Sequence, residues 1–183
     1  RYNLGIALGH KDNWDGAIEE YRKALRLNPT NENAHVNLAG ALEQKGDWDG
    51  GITESREALR LSPNDAEAHY NLGFALGNKG DVDGAIAEFR ETLRLNVNDA
   101  KAHVVLGAAL GAKNDSDGEI REERDALRLD PNNATARYLL GFALEQKQNY
   151  REALQEYRKA CELKPQDPDY RKAYDRLLKK VPQ

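Results

Sequence analysis

The sequence predicts an all-α chain folded as an α-solenoid of stacked helix pairs, and three observations carry that reading. One is an internal period. KDNWDGAI (11–18), KGDWDGGI (45–52), KGDVDGAI (79–86), KNDSDGEI (113–120) and KQNYREAL (147–154) follow one another at intervals of 34 residues without a slip. The second is a set of rows that keep the same period: Leu4, Leu38, Leu72, Leu106 and Leu140; Leu8, Leu42, Leu76, Leu110 and Leu144; and Gly5, Gly73, Gly107 and Gly141, with Ala39 in the second copy. The third is punctuation. Pro29, Pro63, Pro131 and Pro165 each close a period, with Val97 in the third, and a proline cannot continue a helix.

The repeats run 1–31, 32–65, 66–99, 100–133 and 134–167, and a last segment runs 168–183. The first starts in mid-pattern at Arg1 in a chain without Met, so it reads as an N-terminally truncated repeat of a fragment or trimmed chain. Residues 66–99 show how each unit is built. Ala68, Leu72, Ala75 and Leu76 recur at helical spacing and give a first amphipathic helix. Lys79-Gly80 ends it, because glycine accepts the left-handed conformation at a helix terminus. Asp81 is a good N-cap for a second helix, and Asp83 sits in its first turn, where the helix dipole favours an anion. Ile86, Phe89, Leu93 and Leu95 continue the apolar face.

The same logic settles KGDWDG at 45–50. A calcium loop would need a third acidic or amide ligand where Gly51 stands. The stretch reads instead as an inter-helix turn in which Asp47 caps, Asp49 complements the dipole and Trp48, like Trp14 and Tyr150 in its row, covers the turn. The last segment begins with Asp167-Pro168, a cap followed by proline at the first helical position. Tyr170, Ala173, Tyr174 and Leu177 then form an apolar stripe among basic residues.

Composition narrows the function. With 27 basic and 31 acidic residues interspersed and a net charge of −4, the chain lacks the basic stripe that nucleic acid requires. No apolar run approaches a membrane span and no signal-peptide pattern opens the chain. Cys161 is the single cysteine, so there is no intrachain disulfide; this suits a reducing compartment and makes a cytoplasmic location the expectation.

The rows also match a known pattern: W-x2-L-G-x2-Y, then A-x3-F, then P. The third repeat offers His69-x2-Leu72-Gly73-x2-Leu76, then Ala85-x3-Phe89, then Val97. The first offers Arg1-x2-Leu4-Gly5-x2-Leu8, then Ala17-x3-Tyr21, then Pro29. Over its whole length the chain resembles the tetratricopeptide repeat (TPR) family. The resemblance implies a right-handed α-solenoid whose first helices line a concave groove for peptides or partner helices, closed by a C-terminal capping helix at 168–183. Several positions depart from the pattern. Arg1, His35, His69, His103 and Arg137 replace the leading Trp, Gly51 and Ser55 fill the A-x3-F slots of the second repeat, and Glu119 and Glu123 fill them in the fourth. Glu119 and Glu123 are expected either to reach solvent or to pair with cations, Arg137 being a candidate partner for Glu123.

No catalytic constellation emerges, and the chain is read as a non-enzyme that needs no cofactor. His35, His69 and His103 occupy equivalent positions on successive repeats, about 8–10 Å apart, too far to share one metal with bonds of about 2 Å. They read as semi-buried structural residues between units. Cys161 stands in the row of Leu25, Leu59, Leu93 and Leu127 and reads as a small core residue. Gly73 to Gly77 follows no strand and is no phosphate loop.

The binding candidates lie on the first helices, opposite the packed Ala and Leu rows. Asn3, Asn37 and Asn71 form a ladder there, continued by Val105 and Leu139. Phe74 and Phe142 stand one turn on, Tyr70 and Tyr138 one position before, and Lys101 early in its helix. A carboxamide can bond the backbone of an extended peptide without reading its sequence. One Asn per repeat at about 10 Å matches about three extended residues. The arrangement is similar to the asparagine ladder of O-linked N-acetylglucosamine transferases. The expected groove has two parts: amides holding backbone in the N-terminal half, and Val105, Leu139, Phe142 and Phe74 taking apolar side chains in the C-terminal half. A carboxylate clamp of the chaperone-tail kind is set aside, since Val105 stands where it needs Arg and Tyr2 or Val36 where it needs Lys.

The leading function is thus a protein–protein interaction scaffold with a protein or peptide partner, engaging neither nucleic acid nor membrane. The alternatives are self-association into a homo-oligomer, or a targeting arm of a larger enzyme. The two buried-slot glutamates also make the fourth repeat the expected weak point. Hydrogen exchange should show residues 117–128 less protected than residues 83–94; equal protection would remove that expectation.

Overall fold

The structure, a computed structural model, describes residues 1–180. These contain eleven helices and no strand: α1 (Tyr2–Gly9), α2 (Trp14–Leu27), α3 (Glu32–Gln44), α4 (Trp48–Leu61), α5 (Ala66–Asn78), α6 (Val82–Leu95), α7 (Ala100–Ala112), α8 (Ser116–Leu129), α9 (Ala134–Gln146), α10 (Tyr150–Leu163) and α11 (Pro168–Leu178). The chain divides into two compact units, Arg1–Val97 with α1 to α6 and Asn98–Gln183 with α7 to α11. Within each unit, consecutive helices pack as helix–turn–helix repeats stacked in the manner of an α-solenoid. None of the described helices is long and apolar enough to cross a membrane.

Helix starts follow one rule. Asn13, Asn31, Asp47, Asp65, Asp81, Asp99, Asp115, Asn133 and Asp167 each accept a backbone N–H of the first turn through the side chain. Asp47 takes the Gly50 N–H at 3.0 Å, and a Cβ at Gly50 would lie only 2.7 Å from its Oδ2. The fifth repeat has Glu152 in that place, and Asn149 makes no side-chain cap; its Nδ2 donates to the Glu152 carboxylate instead. The acid two residues past the cap receives a lysine from the next repeat: Lys45 reaches Asp15 and Lys79 reaches Asp49, each at 3.0 Å. KGDWDG is therefore a turn, as its sequence indicates. Trp48 does more than cover it, since its ring meets Phe74 of the following repeat edge-on at 6.0 Å. Tyr150 in the same row stays exposed.

Between the two helices of a repeat the chain turns through a left-handed residue, Gly46 at φ +75° and Gly80 at +87°. Asp12, Asn114 and Gln148 take the same conformation at φ 55°, 61° and 61° with side chains present.

The core sits where the two helices of a repeat approach. Gly73 on α5 lies under the Phe89 ring of α6, and a Cβ there would be 2.8 Å from the ring. Tyr21 over Gly5 and Tyr157 over Gly141 repeat the arrangement. Leu38 packs on Ala17, Ile18 and Tyr21 of the preceding second helix and is 1% exposed, whereas Leu4 of the same row, in the first helix, is 47% exposed. In the second unit, Ala173 and Leu177 of α11 close over Tyr157, Leu140 and Leu144. Cys161 is buried beside Ala134, Ala160 and Tyr170, and burial pushes its thiol up, which suits a core residue rather than a nucleophile.

A side chain in the left-handed region costs about 1–2 kcal/mol, part of which glycine's freedom in the unfolded chain offsets. Gln148→Gly is therefore expected to stabilise the chain by about 0.5–1 kcal/mol, and Gly80→Ala to destabilise it by a similar amount, both read from urea denaturation midpoints.

Candidate functional site

The position that opens each first helix carries a cation or an imidazole, and it clasps a glutamate nineteen residues on. His35 Nδ1 lies 2.6 Å from Glu54, His69 Nδ1 2.6 Å from Glu88, and His103 Nδ1 2.8 Å from Glu122. Arg1 reaches Glu20 at 3.1 Å and Arg137 reaches Glu156 at 2.7 Å. The other end of the group bonds the loop before the helix. The Nε2–H of His35 donates to the Pro29 carbonyl at 3.0 Å, that of His69 to Pro63 at 3.1 Å, and Arg137 Nη2 donates to Pro131 at 2.7 Å. The histidines are thus structural, and they tie the two helices of one repeat to the loop that joins it to the repeat before. Sequence reading missed the partner. Its signal was a glutamate row without exception: Glu20, Glu54, Glu88, Glu122 and Glu156.

In the fourth repeat Asp125 joins this clasp, and the ligand atoms of His103, Glu122 and Asp125 come within 4.8 Å of one another. Glu122 is engaged by His103 and Asp125 by Arg128 at 3.0 Å, so the group reads as ion pairs of the clasp.

In the first unit, the ladder positions differ in depth. Asn3 is exposed, Asn37 half-buried and Asn71 only 8% exposed. Each of the latter two commits its amide nitrogen to the residue thirty-five places earlier: Asn37 Nδ2 donates to the Tyr2 hydroxyl at 2.9 Å, and Asn71 Nδ2 to the Val36 carbonyl at 3.2 Å. Asn37 Nδ2 also donates to the Asn33 carbonyl at 2.8 Å. Asn37 thus commits both of its amide hydrogens, and Asn71 one of its two. Beside them Tyr70 and Phe74 are half-buried and stack nearly parallel, centroids 6.4 Å apart at 6°.

In the second unit, Lys101 is exposed, Val105 and Leu139 are half-buried and Phe142 is 40% exposed. Tyr138 is held between Tyr170 of α11, stacked at 4.8 Å, and Tyr157 of α10 at 5.7 Å. It supports the Leu139–Phe142 face more than it extends it. Phe74, grouped with these residues on sequence grounds, lies in the other unit.

Comparisons with known proteins agree with this architecture. Family models described as TPR repeat match residues 7–46 and 41–80, and models described as tetratricopeptide repeat match 66–99 and 124–168. The chain belongs to the tetratricopeptide-repeat family. A search of curated proteins returns no match to the sequence. Among solved structures, the crystal structure of MamA is similar at 26% identity and TM-score 0.79, covering 88% of this chain and 95% of that one. YrrB, described as a TPR protein with an unusual peptide-binding site, is similar at 24% identity and TM-score 0.77, covering 98% and 90%. TTC0263, described as a thermophilic TPR protein in Thermus thermophilus, is similar at 23% identity and TM-score 0.74, covering 97% and 96%.

The TPR pattern fails most sharply at Glu119 and Glu123, and their environment is the opposite of the one expected. Both are buried, and neither pairs with a cation among the described residues. Glu119 is 3% exposed and Glu123 fully buried, both carboxylate oxygens of Glu123 lacking any hydrogen-bond partner. Arg137 is taken by Glu156. Desolvation pushes Glu123 up to about 9, with Glu119 and Glu122 adding to the shift, and desolvation alone pushes Glu119 up to about 7. Glu43 is a third case: 7% exposed, with its side chain against Gly51, it is pushed up to about 8 by burial.

Removing one member of a buried clasp leaves the other uncompensated. Breaking a buried pair costs about 3–5 kcal/mol, and Arg137→Met is expected to cost about 3 kcal/mol, the lower end of that range, because Lys159 still reaches Glu156. Arg137→Met with Glu156→Leu should recover most of it, as a double-mutant cycle in urea would register.

Proposed function

We propose that this chain is a protein-interaction scaffold, without chemistry of its own, which takes an extended peptide or partner helix against the first helices of its repeats. Family membership and the likeness to a peptide-binding TPR protein support the scaffold reading. The observation that carries the finer reading is the orientation of Asn37 and Asn71. Both amides are fixed by their nitrogens to the residue thirty-five places earlier, so their oxygens are held in place one repeat apart. Pre-organised acceptors suit the backbone N–H groups of an extended segment, and little ordering entropy is lost when it binds. The neighbouring Tyr70–Phe74 stack offers an apolar surface for a side chain of the same segment. In the second unit the Leu139–Phe142 surface suits an apolar side chain or the apolar stripe of a helix.

The test is a random-peptide display selection on the whole chain, followed by affinity measurement for enriched sequences. Asn37→Ala removes one acceptor and should weaken binding about five- to tenfold, the value of one hydrogen bond of about 1–1.5 kcal/mol. Asn78→Ala, on an exposed residue at the end of the same helix as Asn71, should leave it unchanged. Enriched peptides that bind Asn37→Ala as well as the parent would overturn the amide reading. No enrichment at all would overturn the peptide reading.

A further inference from the structure

The Glu119–Glu123 pair lies on the face that α8 turns toward α7, and it occupies seats that side chains of other repeats fill without charge. Position 123 is the seat of Tyr21, Phe89 and Tyr157, rings that lie on Gly5, Gly73 and Gly141. Glu123 lies on Gly107 in the same way, with Oε1 2.5 Å from where a Cβ would be, and Glu119 lies on Gly111 with Oε2 at the same separation. Ala85 and Ala153 stand in the seat of Glu119 in the third and fifth repeats.

The charges around the pair do not compensate it. On α8 itself the neighbour is Glu122, which is negative and committed to His103. The titratable side chains of α7 are Lys101, which is exposed, and that same His103. On α9 Arg137 is held by Glu156 and the Pro131 carbonyl, and Glu145 by the Tyr157 hydroxyl and Arg176. An ionised pair would thus place two like charges one helical turn apart in a buried seat where no cation among the described residues pairs with either.

We propose that the fourth repeat is a proton-held clasp, in which α8 stays docked on α7 while Glu119 and Glu123 carry protons and releases from it as they ionise. Both carboxyls sit above their ordinary value of 4.5 in the docked state, at about 7 and about 9. Docking is therefore fully supported below the unfolded value and weakens as pH rises through the folded ones. The weakening begins just above 4.5, where an exposed glutamate ionises, and is complete near 9, where Glu123 does. Because α7 also carries Lys101 and Val105, opening removes support from the face described under Proposed function; that consequence rests on that reading, while the clasp does not.

Segment-resolved hydrogen exchange on the whole chain tests the clasp, with each rate divided by its intrinsic value at that pH. Protection over residues 116–129 is expected to fall as pH rises from 6 to 9, by up to about tenfold per pH unit for each proton released on opening. Residues 82–95 of α6, which carry Ala85 and Phe89 in the same seats, should hold theirs. Glu119→Gln with Glu123→Gln removes both titrations and should flatten the profile. Should that variant fail to fold, Glu119→Ala with Glu123→Phe installs the pair already accommodated over Gly77 and Gly73, and should be flat and more protected throughout. A flat profile in the parent, or a slope that survives either substitution, would overturn the proposal.

Discussion

Everything else in this molecule depends on how closely the two helices of a repeat approach each other. The approach is set at one point, where a first-helix residue without a side chain meets whatever the second helix lays over it. At Gly5, Gly73 and Gly141 that is an aromatic ring, and a methyl group on the glycine would fall inside it. Where Ala39 restores the methyl, the second helix answers with Ser55, fully buried and small. The seat thus keeps volume rather than identity, which is how packed interiors tolerate change. Register of the repeats, placement of the turns and exposure of the outward faces follow from that contact. A helix pair held at a different distance would aim every other side chain differently.

The clasp at the head of each repeat is a second way of fixing the same two helices. The family pattern places Trp there, a large apolar group that holds by burial. This chain uses an imidazole or guanidinium that bonds a glutamate on the second helix and, where Pro29, Pro63 and Pro131 precede it, a carbonyl of the entry loop. A pair of this kind adds less to stability than its distances suggest, because desolvation offsets the attraction. What it adds is direction: two hydrogen bonds of fixed geometry set the rotation of the helix where burial of a ring would set only its distance. The rotation of the first helices decides which of their side chains point away from the core.

The repeat, its helices and its caps were legible because they depend on local rules that recur five times. Asp81 as a cap, Gly80 as a left-handed turn and Pro as a stop need only their neighbours along the chain. The candidate binding site was legible only as a face. That Asn71 would commit its nitrogen to the Val36 carbonyl depends on how one repeat rotates on the last, which no single repeat encodes. The glutamate row at 20, 54, 88, 122 and 156 was visible in the letters, but its meaning required knowing that it lies beside the histidines across the helix pair. Glu119 and Glu123 stand out in the letters as misfits, and the error was to assume that a misfit charge must find solvent or a cation. It can also keep its proton.

Two misfits of one kind show why position within the repeat matters more than composition. Glu43 on α3 faces Gly51 on α4, and Glu119 on α8 faces Gly111 on α7: the same seat, filled from opposite helices. The first case is a single carboxyl whose second helix places the small Ser55 one turn further on. The second has another carboxyl in that place, on the same helix and with no cation to separate the two. One buried acid is a local penalty that its repeat can absorb. Two acids a turn apart on one helix face share a single fate, because ionising either makes ionising the other harder and opening the helix relieves both at once. The second helix of the fourth repeat is therefore bound to its partner by a different force from that of its neighbours. Rings over Gly5, Gly73 and Gly141 hold the first, third and fifth repeats, while α8 is held by the neutrality of its own side chains.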